Sequence, residues 1–149
     1  MCTCGALSTR RVDGRLVSYL LKTSDSDFIP HWHGYMRHHG GRSVLAFGLI
    51  PQGGVNAGIN DAGLALFMSF LDYRLPPDIP AERTDALVRW WEDERGLVNA
   101  ALLSRCTSMP EGIDFLYEAI GSRPGIVGGN HFLADPSGAI AVFEHCDGR

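Results

Sequence analysis

Ser43-Val-Leu-Ala-Phe-Gly-Leu-Ile50, Val55-Asn-Ala-Gly-Ile59 and Leu64-Ala-Leu-Phe-Met-Ser-Phe70 are apolar runs in close succession. Gly53-Gly54 separates the first two and Asn60-Asp61-Ala62-Gly63, strong turn chemistry, separates the last two. Short apolar runs bounded by turn residues read as strands, and the first and last read as strands buried on both faces. Upstream, Thr3 to Ser8 and Arg15 to Thr23 flank the turn signal Asp13-Gly14 and predict a hairpin. Antiparallel pairing there brings the residues around Cys2 beside Lys22 to Asp25. The polar, histidine-rich segment from Asp25 to Arg42 reads as a loop over a site or surface.

Downstream the hydrophobic period changes. Leu75 to Pro80 holds three prolines and reads as a connector. From about Glu82 to Arg105, Leu87, Trp91, Val98 and Leu102 follow helical spacing. Ser108-Met-Pro-Glu111 has the form of a capping box, and Ile113, Leu116, Tyr117 and Ile120 continue a second helix. Gly121 to Gly129 reads as a loop. His131 to Asp135 and Ala139 to Glu144 are strands around the turn Asp135-Pro-Ser-Gly138. Strands in blocks and helices in blocks predict an α+β fold with antiparallel sheets, not a doubly wound parallel sheet.

The chain has 149 residues, enough for a single domain over 1–149 with its own core. With 13 basic and 17 acidic residues its formal charge is −4, which argues against nucleic acid as a partner. No segment approaches the ~18 consecutive apolar residues of a membrane helix, and the first residues lack a secretory signal, so a cytoplasmic protein is expected. Four cysteines in that setting read as free thiols. After the last strand, Asp147-Gly148 is a turn signal with nothing following it. We therefore expect an incomplete C-terminus, with a second half or partner subunit beginning after Arg149.

Cys2 follows the initiator Met, whose removal leaves a thiol and a free α-amine on one residue. A thiolate forms with a pKa of about 8.5. An α-amine with a pKa of roughly 7.7–8.0 can serve as its built-in base. Lys22 and Asp25, returning beside it, offer a cation that favours the thiolate and a carboxylate that can hold the ammonium.

Taken together, Cys2, Asp13-Gly14 and Leu21-Lys22-Thr23-Ser24-Asp25 resemble the start of bile-salt hydrolases, penicillin acylases and acyl-CoA:6-aminopenicillanate acyltransferases, which are N-terminal-nucleophile hydrolases. Gly58-Ile-Asn-Asp-Ala-Gly-Leu-Ala65 is similar to their Gly-Met-Asn-Glu-x-Gly-Leu segment. Gly129-Asn-His-Phe-Leu-Ala-Asp-Pro-Ser-Gly138 is similar to their Asn-x-x-Leu-Ala-Asp-x-x-Gly hairpin. The resemblance implies an αββα four-layer sandwich of two antiparallel sheets, of which this chain is one part. It implies Cys2 as nucleophile and base, Asp25 as the carboxylate at the amine, and Asn130 as a donor to the oxyanion or an orienter of the amine. Lys22 stands where the family has Arg, and keeps the charge while losing the planar two-pronged donor. Ser69 falls where the family has its oxyanion Asn, and Asn60 falls in the turn. The reaction implied is amide hydrolysis or acyl transfer through a Cys2 thioester, on a small amide or acylated metabolite of specialised metabolism, with no cofactor.

Other readings compete. His31, His33, His38, His39, His131, His145 and Cys146 supply metal ligands by number, although Cys2-x-Cys4 is too tight for a structural zinc knuckle. Otherwise His31, Trp32, His33 and Tyr35 would line a substrate pocket. Trp90-Trp91 would divide between core and interface. Cys106 and Cys146 read as buried thiols. A non-catalytic binding domain that retains the fold is the third class. A homo-oligomer is expected for the enzyme.

Overall fold

The computed structural model describes residues 3–23, 31–39, 42–50, 54–70, 94–123, 126 and 128–146. Two antiparallel sheets and two helices make up the described residues, giving an α+β fold. Strands β1 (Thr3–Arg10) and β2 (Leu16–Thr23) form the hairpin expected around Asp13-Gly14. Gly14 adopts φ 82°, a left-handed conformation, and Asp13 Oδ1 accepts from the Arg15 amide at 3.1 Å. The register sets Thr3 opposite Thr23 and Cys4 opposite Lys22.

Six further strands form the larger sheet in chain order: β3 (His31–His39), β4 (Arg42–Ile50), β5 (Ala57–Asn60), β6 (Ala65–Phe70), β7 (Gly129–Ala134) and β8 (Ile140–His145). β3 corrects the expectation of a loop from Asp25 to Arg42. Its polar composition hid a strand whose backbone pairs with β4 along its whole length, from His31↔Ile50 to His39↔Arg42. Helix α1 spans Arg95–Arg105 and α2 spans Met109–Gly121. The connector Leu75–Pro80, the earlier part of the expected first helix and Trp90-Trp91 lie outside the described residues.

Period-two alternation gives the sheet two distinct faces. One face carries Val44, Ala46, Leu66 and Leu133, each at most 5% exposed, under α1 and α2. Leu102, Leu103, Leu116 and Ile120 close the core from the helical side. α1 packs on β4 and β5, and α2 on β7 and β8. On the opposite face β2 crosses β6 and β7, and β1 crosses β8. The Ser8 hydroxyl donates to Gly138 O at 2.9 Å, and a Cβ on Gly138, itself at φ 85°, would run into Leu16. The hairpin is thus seated on the β7–β8 turn at one end. The described layers run helices, six-stranded sheet, hairpin.

Ser108 makes no side-chain cap on α2, a departure from the expected capping box. Asp135 Oδ2 accepts from the Met109 amide instead, while the Glu111 carboxylate accepts from the Thr107 amide and hydroxyl. These bonds hold the Glu111 pKa below the usual carboxylate value. Cys106 is buried as expected, and burial raises its pKa. Cys146 is exposed, contrary to expectation, because β8 buries His145 and alternation turns the next residue outward.

Asn60 links the layers. Its Oδ1 accepts from the Ala62 and Leu64 amides, at 3.1 and 3.0 Å. Its Nδ2 donates to Leu103 O and Cys106 O at the end of α1, at 2.9 and 2.8 Å. All four bonding positions of the amide are occupied. Asn60→Ala strands buried polar groups on both layers and should cost about 2–3 kcal/mol, read as a lowered midpoint in urea unfolding.

A second buried polar chain lies under β7. Asn99 Nδ2 donates to Val55 O at 2.9 Å, which turns its Oδ1 toward His131 Nδ1, also at 2.9 Å. His131 Nδ1 therefore carries the proton, and Nε2 accepts from His145 Nε2 at 3.2 Å. Burial, then the neighbouring His145 and Arg95, holds the His131 pKa well below its usual 6.5. The unfolded chain thus takes up the proton first. The neutral ring's contribution is fully present above pH 6.5 and is lost as pH falls from there through the folded-state value, at up to about 1.4 kcal/mol per pH unit. Chemical denaturation between pH 7 and about 5 should show this loss, and His131→Gln should make it shallower.

Candidate functional site

At one end of the sheet β6 finishes, β7 begins and the chain enters β5. The same end receives the last residues of β2 and the first of β1. Lys22, two places beyond Leu20 on the inner face of β2, reaches down from the hairpin to this end. Its Nζ donates to Met68 O at 2.6 Å and to Asn56 Oδ1 at 2.8 Å. Asn56 is 2% exposed, and its backbone is tied by Asn56 N to Phe47 O at 2.8 Å and by Met68 N to Asn56 O at 3.0 Å.

Ser69 and Asn130 are register partners across β6 and β7, on the face that meets the hairpin. Asn130 Nδ2 stands 3.5 Å from Ser69 Oγ. Asn130 Oδ1 is buried and has no hydrogen-bond partner among the described residues. A buried acceptor left open in this way is costly unless something donates to it, so it marks a place for an incoming N–H or O–H. The Asn130 amide and the Ser69 hydroxyl also offer donors on the same face.

Beneath this face, on the helix side, lie His131, His145, Asn99 and Arg95, the last fully buried with Nη1 donating to Gly128 O at 2.6 Å. This layer backs the strand that carries Asn130. Away from the polar end, the inner face of β2 borders a crevice of about 340 Å³ lined by Leu16, Leu20, Ile59, Ala65, Ala134 and Pro136. It offers apolar walls to a small group.

Of the residues singled out from sequence, Lys22, Ser69 and Asn130 come to one end of the sheet. Asn60 does not: it lies on the helix face, 5% exposed, with its amide saturated from within. Cys2 and Asp25 lie outside the described residues, Cys2 being bonded to Thr3, where β1 begins. His31, Trp32 and His33 belong to β3, and their side chains lie outside the described ones. Among the described residues no three of His, Cys, Asp and Glu gather closely enough to hold a metal ion, and His131 and His145 bond to each other. No helix of the described residues is long and apolar enough to cross a membrane.

Asn56, Asn99 and Arg95 carried no signal in the sequence. An Asn in a Gly-rich turn reads as turn chemistry, and an Arg or Asn early in a helix reads as surface. Set against family models, curated proteins and solved structures, the chain matches none, so the reading of this site rests on its own residues and geometry.

Proposed function

We propose that the chain is a cysteine amidohydrolase or acyltransferase whose nucleophile is Cys2, exposed as the N-terminal residue once Met1 is removed. The observation that carries this reading is the convergence of Lys22, Asn56, Ser69 and Asn130 at the sheet end where β1 starts, one residue after Cys2. A reactive terminal thiol needs a neighbouring cation, oxyanion donors and an acceptor for a substrate N–H, and residues able to supply each lie there.

In the reaction, the α-amine takes the thiol proton and the thiolate attacks the amide carbonyl, forming a C–S bond. The Asn130 amide and the Ser69 hydroxyl are suited to donate to the oxyanion. The C–N bond then breaks as the α-ammonium returns its proton to the leaving amine, giving a thioester. Water, or a second amine, gives a proton to the α-amine as it attacks the thioester carbonyl; the C–S bond then breaks and the thiolate leaves, taking the proton back to restore the starting thiol and free amine. In this reading the hairpin belongs to the second sheet of an αββα sandwich. A further polypeptide, either a C-terminal half or a separate subunit, would complete that sheet.

Intact-mass analysis before and after brief alkylation tests the proposal. Loss of Met1 and labelling of Cys2 ahead of Cys4, Cys106 and Cys146 are expected, with Cys2→Ala abolishing amide turnover. Retained Met1 with no privileged thiol sinks it.

A further inference from the structure

We propose that Asn56 is the positioning residue of this site, fixing the Lys22 ammonium at the end of β2, the strand that pairs with the start of β1. The inference rests on the reading of Cys2 as nucleophile. A lysine ammonium sits on a flexible four-carbon stem with three rotatable donors, so a charge alone does not fix its place. The N-terminal-nucleophile hydrolases whose motifs the sequence resembles carry an arginine at this point, whose rigid planar fork needs less help. Here the Lys22 ammonium donates to Asn56 Oδ1 at 2.8 Å and to Met68 O at 2.6 Å.

Those two acceptors form a single rigid frame. Met68 N donates to Asn56 O at 3.0 Å, and Asn56 N donates to Phe47 O at 2.8 Å. Asn56 and Met68 are thus locked to each other across β5 and β6, and Asn56 is further locked to β4. Asn56 is 2% exposed and Met68 1% exposed, so water competes little for the ammonium. Lys22 lies opposite Cys4 on the paired strand, so these two share a face of the hairpin, and Cys2 precedes Cys4 by two residues in the chain. A fixed cation on that face lowers the pKa of a thiol close to it by favouring the thiolate. Asn56 acts through Lys22 and does not itself touch substrate.

The pH dependence of Cys2 alkylation by iodoacetamide, resolved peptide by peptide in the full chain, tests this without a known substrate. Lys22→Met should move the midpoint for Cys2 upward by about one pH unit. Asn56→Leu should move it the same way, and the double variant should move it no further than Lys22→Met alone. Asn56→Gln keeps an amide acceptor and no charge and should return the midpoint toward the wild-type value, which guards against a Leu variant that does not fold. A merely structural Asn56 would lower the melting temperature of these variants and leave the midpoint unmoved, which overturns the inference. Wild-type Cys2 with no privileged reactivity would instead overturn the N-terminal-nucleophile reading on which it rests.

Discussion

Leucine burial between the six-stranded sheet and its helices is the interaction on which the other features depend. Leu64, Leu66, Leu102, Leu103, Leu116 and Leu133 are each at most 2% exposed. Fully burying such a side chain is worth about 1.5–3 kcal/mol relative to leaving it in water. This layer keeps the sheet flat against α1 and α2 and leaves its other face for the hairpin. Close approach is needed at several points: a Cβ on Gly58 would stand 2.8 Å from a Leu103 methyl carbon, and one on Gly112 would stand 2.6 Å from a Leu133 methyl carbon, so larger residues there would disturb the packing of the helices on the sheet.

The side-chain amides that enter this layer are hydrogen-bonded. Asn60 joins the β5–β6 turn to the end of α1, and Asn99 with His131 and His145 forms a chain below β7. Burying such groups is favourable only when their bonds are made, because an unpaired buried donor or acceptor is costly. The two networks therefore specify the relative placement of helix and sheet more sharply than leucine packing alone. Asn130 is the contrasting case. It follows the same β7 strand but faces the hairpin, and its Oδ1 is left open among the described residues.

The site draws on several layers at once. β2 delivers Lys22, the chain entering β5 delivers Asn56, β6 delivers Ser69 and β7 delivers Asn130. Each strand contributes a residue near its end, where the ladder stops and side chains reach past the backbone.

Much of the architecture was legible in the residue pattern. Turn chemistry at Asp13-Gly14, Asn60-Asp61-Ala62-Gly63 and Asp135-Pro-Ser-Gly138, with apolar runs between, determined the antiparallel pairs, because a turn acts through adjacent residues. The hairpin register followed, and with it the meeting of the start of β1 with Lys22. β3 was not legible, since its polar residues take their strand conformation from pairing with β4, not from a pattern of their own. Nor were the partners of Lys22, which lie 34 and 46 residues away in Asn56 and Met68, or the meeting of Ser69 with Asn130 across 61 residues. Contacts at such separations depend on how one sheet lies on another. Periodicity decides which face a residue joins, and only tertiary packing decides what it meets there.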